Sequence, residues 1–110
     1  MCSPIRCGYG CLIDVFEKWY KKLNDLQARA RILDRIIRLG QGNPGKADTI
    51  GEGCSEMIID YGPGYRIYFK QFGKKIVVLL CGGDKRKQQA DIEKAHKIAK
   101  LYEKEYGNEN

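Results

Sequence analysis

Histidine occurs once in this chain, at His96. No Ser-His-Asp arrangement is legible around it. Its offset from Ala95 and Ala99 assigns it to the exposed side of a helix, so the sequence does not point to histidine catalysis. Long apolar runs are missing too: none reaches the roughly 18 residues of a membrane-spanning helix. The first thirteen residues, Arg6 among them, hold no sustained apolar segment of the kind a signal peptide needs. The five cysteines, Cys2, Cys7, Cys11, Cys54 and Cys81, are odd in number and form no CxxC pair. That argues against a secreted disulfide framework and a structural zinc site, and for reduced thiols in the cytoplasm. No metal and no cofactor are expected. Acidic residues are also in short supply, 14 against 20 Lys and Arg, for a net charge of +6. That surplus suits a polyanionic partner as well as a plain solvated surface.

The 110 residues, 43% of them hydrophobic, suffice for one compact domain and are too few for two. Residues 1–12 have no clear period and read as irregular or as a weak edge strand around Tyr9 to Ile13. From Asp14 the period turns helical, with Phe16, Trp19, Tyr20 and Leu23 at i, i+3, i+4 and i+7. Asn24 and Asp25 break that helix and cap a second, whose predicted buried stripe is Leu26, Ala30, Leu33 and Ile37, joined by Ile36. The short link predicts an αα-hairpin. Lys18, Lys21, Lys22, Arg29, Arg31, Arg35 and Arg38 decorate it, opposed by Glu17, Asp25 and Asp34; either a solvated face or a nucleic-acid face fits. Residues 40–53, GQGNPGKADTIGEG, read as a loop.

Three strands then follow as an antiparallel meander: CSEMIIDY (54–61), YRIYFKQ (65–71) and KIVVLLC (75–81). A three-residue loop at 62–64 sets Asp60 opposite Arg66, Ile58 opposite Tyr68 and Glu56 opposite Lys70. One sheet face is then apolar, through Met57, Ile59, Tyr61, Tyr65, Ile67 and Phe69, and the other polar and open. A last helix is predicted from about Arg86 to Glu105, with Ile92, Ala95, Ala99 and Tyr102 as its stripe, and 106–110 as a frayed end. The fold class is α+β: an N-terminal αα-hairpin on an antiparallel meander of three to four strands, plus a C-terminal helix, in a single domain over 1–110.

Two stretches carry candidate chemistry. Arg66, with Tyr68 two residues on and Lys70 beyond, offers a guanidinium beside a phenol on a sheet surface, a pair suited to a phosphate and a stacked base. Pairing with Asp60 alone is the competing account. In GGDKRKQQ, Lys85, Arg86 and Lys87 crowd a helix start, where cations oppose the macrodipole. Asp84 as N-cap offsets part of that, and a bound phosphate would offset more. Gly82 and Gly83 would let backbone N–H groups approach it. The order GxxxxGK[ST] is absent, so this is no Walker A loop.

FEKW (16–19), LQARARIL (26–33), RLGQGN (38–43), YGPGYRIYF (61–69) and LLCGGDKRKQQADI (79–92) together make the chain resemble the RelE/HigB-like toxins of bacterial toxin–antitoxin modules, in the phage-derived addiction module killer branch. The pairing of GPGYR with GGDK is the most specific part. The resemblance implies a RelE-like fold and an activity, ribosome-dependent mRNA cleavage by attack of a ribose 2′-OH on its own 3′-phosphate, without metal. Carried over by position, it implies roles for Arg66, Lys85 and Gln88; together with the reading of the strand and turn, the expected catalytic residues are Arg66, Lys85 and Arg86, with Tyr68, Lys70, Lys87 and Gln88 binding substrate. The resemblance implies as partners a cognate antitoxin of helix-turn-helix type, the ribosome and mRNA, no membrane, and DNA only through the antitoxin complex. A non-nucleolytic toxin of the same fold that inhibits DNA gyrase, or a basic nucleic-acid-binding module, are the alternatives. The chain departs from the branch at Ile58, where a basic residue is usual, and at Arg86 and Lys87, where small hydroxyl residues are.

Overall fold

A computed structural model describes residues 10–12, 14–73 and 76–106. In chain order it contains β1 (Gly10–Leu12), α1 (Asp14–Lys21), α2 (Leu26–Gly40), β2 (Ala47–Gly51), β3 (Cys54–Ile59), β4 (Tyr65–Phe72) and β5 (Ile76–Asp84). A 3-10 turn (Lys85–Lys87) and α3 (Gln88–Tyr106) follow. Among the described residues the sheet order is β1-β5-β4-β3-β2. The four strands β2 to β5 pair antiparallel with one another, and β1 pairs parallel with β5. The α+β class and the helix after the meander are as expected. The expectations for residues 1–9 and 107–110 lie outside the described residues.

Asp25 caps α2 as expected, its side chain accepting from the amides of Gln27 (3.0 Å) and Ala28 (3.1 Å). The face of α2 that packs inward is not the predicted one. Ala28, Ile32 and Leu39 are buried, whereas Leu26 is 75%, Leu33 48% and Ile37 54% exposed. The helix carries two apolar stripes of the same period, so periodicity could not choose between them. Arg35 marks the inward edge, because its guanidinium donates to the carbonyls of Ile58 (2.7 Å), Pro44 (2.9 Å) and Lys46 (3.0 Å). It is a clamp between α2 and the segment entering β2, not part of a solvated basic face.

Within the stretch expected to be a loop lies β2. It forms a hairpin with β3 through Glu52 and Gly53, with positive φ at Gly51, Glu52 and Gly53. Its exposed edge position left no apolar alternation to read. The β3–β4 register differs from the expected one by two residues, since the connection spans 60–64 and Ile59 faces Tyr65. A shift of two preserves which side chains share a face but changes every partner. Asp60 meets Lys46 (2.9 Å) instead of Arg66, and Lys70 meets Glu103 (2.9 Å) instead of Glu56.

Both sheet faces are covered. Phe16, Ile32 and Leu39 of the hairpin pack on Met57, Ile59, Ile67, Phe69, Val77 and Leu79. The face expected to be open lies under α3, whose Ala95 and Ala99 pack on Cys54, Tyr68, Phe72, Val78, Leu80 and Cys81. Two adjacent glycines admit the two layers. A Cβ on Gly82 would collide with the Trp19 ring of α1, and one on Gly83 with the Asp91 carboxylate of α3. Close layer packing, not approach to a phosphate, accounts for both glycines here.

The Arg35→Ala substitution is expected to lose roughly 2–4 kcal/mol, on the scale of a few charge-assisted hydrogen bonds, and Arg35→Lys to recover little because an ammonium lacks the fork. Urea denaturation of both variants checks this; a loss below about 0.5 kcal/mol for Arg35→Ala would refute the clamp.

Candidate functional site

Arg66 lies second in β4 and pairs with Gly83 of β5 on one side and Ile58 of β3 on the other. Its side chain is on the α3 face and only 13% exposed. A guanidinium so placed needs a negative neighbour. Glu56 supplies it, with Oε2 at 3.7 Å from Arg66 Nη1 and a residue exposure of 5%. Gln88, in the first turn of α3, donates Nε2 to both Glu56 oxygens at 3.1 Å. Glu56 is therefore held from two directions, by the strand beside it and by the helix above.

Three buried polar atoms around this pair have no hydrogen-bond partner among the described residues: Arg66 Nε, Tyr68 Oη and Asp91 Oδ2. Tyr68 pairs with Cys81 and Glu56 and is fully buried. Burial first, and then the Glu56 charge, pushes its phenol far above the ordinary range, so it stays neutral. Burial likewise pushes the Asp91 carboxyl up, against the pull of Lys94 and Lys87. Cys81, whose thiol lies 3.8 Å from the Asp91 carbonyl, is pushed up to about 12 by the same burial, which makes it an inert thiol.

Outside this cluster the cations gather on the 3-10 turn. Asp84 caps it as expected, accepting from the Arg86 amide at 2.9 Å. Arg86 then folds back onto Asp84 (2.9 Å) and holds that carboxyl below its usual range. Lys85 and Lys87 are exposed, with no ion-pair partner among the described residues. Lys85 stands beside Gly64, two residues before Arg66. The structure thus brings Arg66, Lys85, Arg86, Lys87 and Gln88 to one end of the sheet.

It does not bring Lys70 or the face of Tyr68 there. Lys70 sits further along β4, bound to Glu103 and to the Glu52 carbonyl (3.0 Å), with its ammonium over the Phe72 ring. The Tyr68 ring, expected to stack a base on an open face, is enclosed beneath α3. His96, expected to be exposed, is half-buried and within 2.8 Å of the Ile50 carbonyl. Asp91 is the residue that sequence reasoning missed. The signal was present: Asp91, Ala95 and Ala99 form an i, i+4 ladder, and an acid at its head falls on the buried face next to a Gly-Gly pair. Among the described residues no cluster of three or more His, Cys, Asp or Glu side chains could hold a metal ion. No helix among them is long and apolar enough to cross a membrane.

Over 84 residues the chain is 45% identical to an uncharacterized protein of Haemophilus influenzae, a match that covers 76% of this chain and 85% of that protein. The two chains belong to one family. No family model and no solved structure matches the chain.

Asp91 titration has a defined sign. Its folded-state value is raised, so between about pH 4 and that value the native state holds a proton that the unfolded chain has released, and stability falls as pH rises. Asp91→Asn removes this slope. Stability of the variant relative to wild type is expected to improve as pH rises above about 4 in parallel denaturation curves, and to level off once the folded-state carboxyl has ionised. A difference that stays flat over that range would mean the carboxyl is solvated.

Proposed function

We propose that this protein is the toxin of a toxin–antitoxin module, a RelE-like, ribosome-dependent mRNA endonuclease. The resemblance carried by GPGYR and GGDK motivates the reading. The observation that supports it best is the pairing of Arg66 with Gly83, which puts the middle-strand guanidinium at the same end of the sheet as the Lys85–Lys87 turn. In the reaction the ribose 2′ oxygen forms a bond to its own 3′ phosphorus and the bond to the 5′ oxygen breaks. The products are a 2′,3′-cyclic phosphate and a 5′-hydroxyl, with a proton leaving the 2′ oxygen and one arriving at the 5′ oxygen. Arg66 neutralises charge on the pentavalent phosphorus, Lys85 assists proton transfer, and Arg86 and Lys87 hold the flanking backbone. Preorganised cations of this kind commonly supply the largest catalytic contribution, and the ribosome supplies the geometry of the substrate.

Glu56 and Gln88 act through Arg66 on this reading, by fixing its direction. No base-stacking role is assigned to Tyr68 and no substrate contact to Lys70. The partners would be mRNA on the ribosome and a cognate antitoxin of helix-turn-helix type, in the cytoplasm.

A second reading, a gyrase-inhibiting toxin on the same scaffold, is favoured by one observation. Ile58, 8% exposed, pairs directly with Arg66, so the cation usual in the branch is missing at the nearest cross-strand position.

In a coupled translation reaction wild type is expected to cleave mRNA, and Arg66→Ala with Lys85→Ala to reduce the rate at least about 100-fold. The comparison is made at a temperature where circular dichroism shows the variant folded, because removing Arg66 leaves Glu56 buried without its cation. Equal cleavage by the double variant would rule out these roles. Intact mRNA together with inhibited supercoiling would support the second reading.

A further inference from the structure

Four large hydrophobic side chains are conspicuously exposed among the described residues, and three of them share one stripe of α2: Leu26, Leu33 and Ile37. Exposed Ala30 fills the gap, so the spacing is 4, 3, 4, the seam of a coiled coil. Single exposed hydrophobics need no explanation, but a seam running along most of a 15-residue helix does. The buried stripe of the same helix already faces the core, through Ala28, Ile32 and Leu39. Packing of this domain therefore does not require the second stripe.

We propose that this α2 face docks an amphipathic helix of a partner protein, one with apolar residues at its own seam and acidic residues along the flanks. Charge selects that occupant. Besides the seam, α2 carries four arginines and one acid. Arg35 is spent inside on three carbonyls, and Asp34 is paired with Arg38 at 3.2 Å. Arg29 on one flank and Arg31 beyond the other stay cationic, each guanidinium resting on a ring, of Tyr20 at 4.9 Å and Tyr61 at 4.7 Å. Tyr61 is itself anchored to Asp25 (3.0 Å), so Arg31 rests on a fixed support. A second copy of this chain would set these arginines against their own kind, with a net charge of +6 on each molecule. An acidic helix gains from the same field and is steered by it. None of the residues at the Lys85 end takes part, so this surface stands or falls apart from the nuclease reading.

The test is a titration of isotope-labelled full-length protein with a synthetic three-heptad peptide bearing leucine at its seam and glutamate at the flanks. The same peptide with lysine flanks serves as its control. Saturable shift changes centred on residues 26–37 are expected for the acidic peptide and none for the basic one. Leu33→Glu with Ile37→Glu, both at exposed positions, is expected to weaken binding about tenfold or more, the scale set by two apolar side chains withheld from burial. Thermal melting of that variant confirms that it is folded. Changes centred on residues 85–87, equal binding of both peptides, or no saturable binding would overturn the proposal. A wild-type dimer in sedimentation that the double variant abolishes would overturn it in favour of self-association.

Discussion

The guanidinium of Arg66 sits on a sheet face that a helix covers, and the need to neutralise it organises the end of the molecule where β4, β5 and α3 meet. A charge with so little water around it is tolerated only beside a counter-charge, and removing such a partner typically costs about 3–5 kcal/mol. Glu56 is that partner, and it has two attachments rather than one, since Gln88 holds it from the helix side. The start of α3 is thereby pinned to the strands by polar contacts, while Ala95 and Ala99 seat the rest of the helix by apolar ones. Gly83 completes the arrangement, because any side chain there would occupy the space of the Asp91 carboxylate. The sequence GGDK, which looks like a phosphate-binding turn, is in this structure first a packing device: Gly82 admits Trp19 from one layer, Gly83 admits Asp91 from the other, and Asp84 caps the turn.

The elements were largely legible in the sequence, and their partners were not. Helix α1 announced its buried side correctly because Phe16, Trp19 and Tyr20 form a single stripe, which Leu23 just beyond the helix continues. Helix α2 did not, because it has two stripes of equal period, and only the tertiary position of Arg35 tells which one faces the sheet. Strands β3, β4 and β5 were readable from their β-branched and aromatic runs. Strand β2 was hidden, since an exposed edge strand of mixed composition looks like a loop. Local rules set the faces of the first hairpin correctly while missing its register by two residues, because a five-residue connection was read as three.

The candidate site was legible in the same partial way. The sequence identified Arg66 and the Lys85–Lys87 turn as a pair of cationic features, and the strand register brings them to one end. It missed that α3 lies over the polar sheet face, and that omission, with the two-residue register shift, accounts for the errors there: Tyr68 in the interior instead of on a surface, Lys70 paired with Glu103, and Asp91 overlooked. Helix-on-sheet packing is a long-range fact. The only local trace of it was the ladder of small residues, Ala95 and Ala99, which lets the helix come close.

The electrostatics of that end then depend on a buried proton. With Asp91 neutral, the enclosed cluster holds one guanidinium against one carboxylate and carries no net charge. With Asp91 ionised, it would carry a net negative charge beneath the surface that the nuclease reading gives to a phosphate. Burial shifts Asp91 toward its neutral form, which lessens the opposition of the enclosed cluster to an anion, but the cluster supplies little attraction, because Glu56 already claims Arg66. The attraction falls to Lys85 and Lys87, which are solvated, screened over about 10 Å at 0.1 M salt, and flexible. Free lysines can gather a polyanion without holding it in one geometry. On the nuclease reading, catalysis therefore requires either that substrate draw Arg66 away from Glu56 or that the ribosome impose the geometry from outside. A bare nucleic acid presented to this surface has neither advantage, which is the physical reason to look for the activity on translating ribosomes rather than on free RNA.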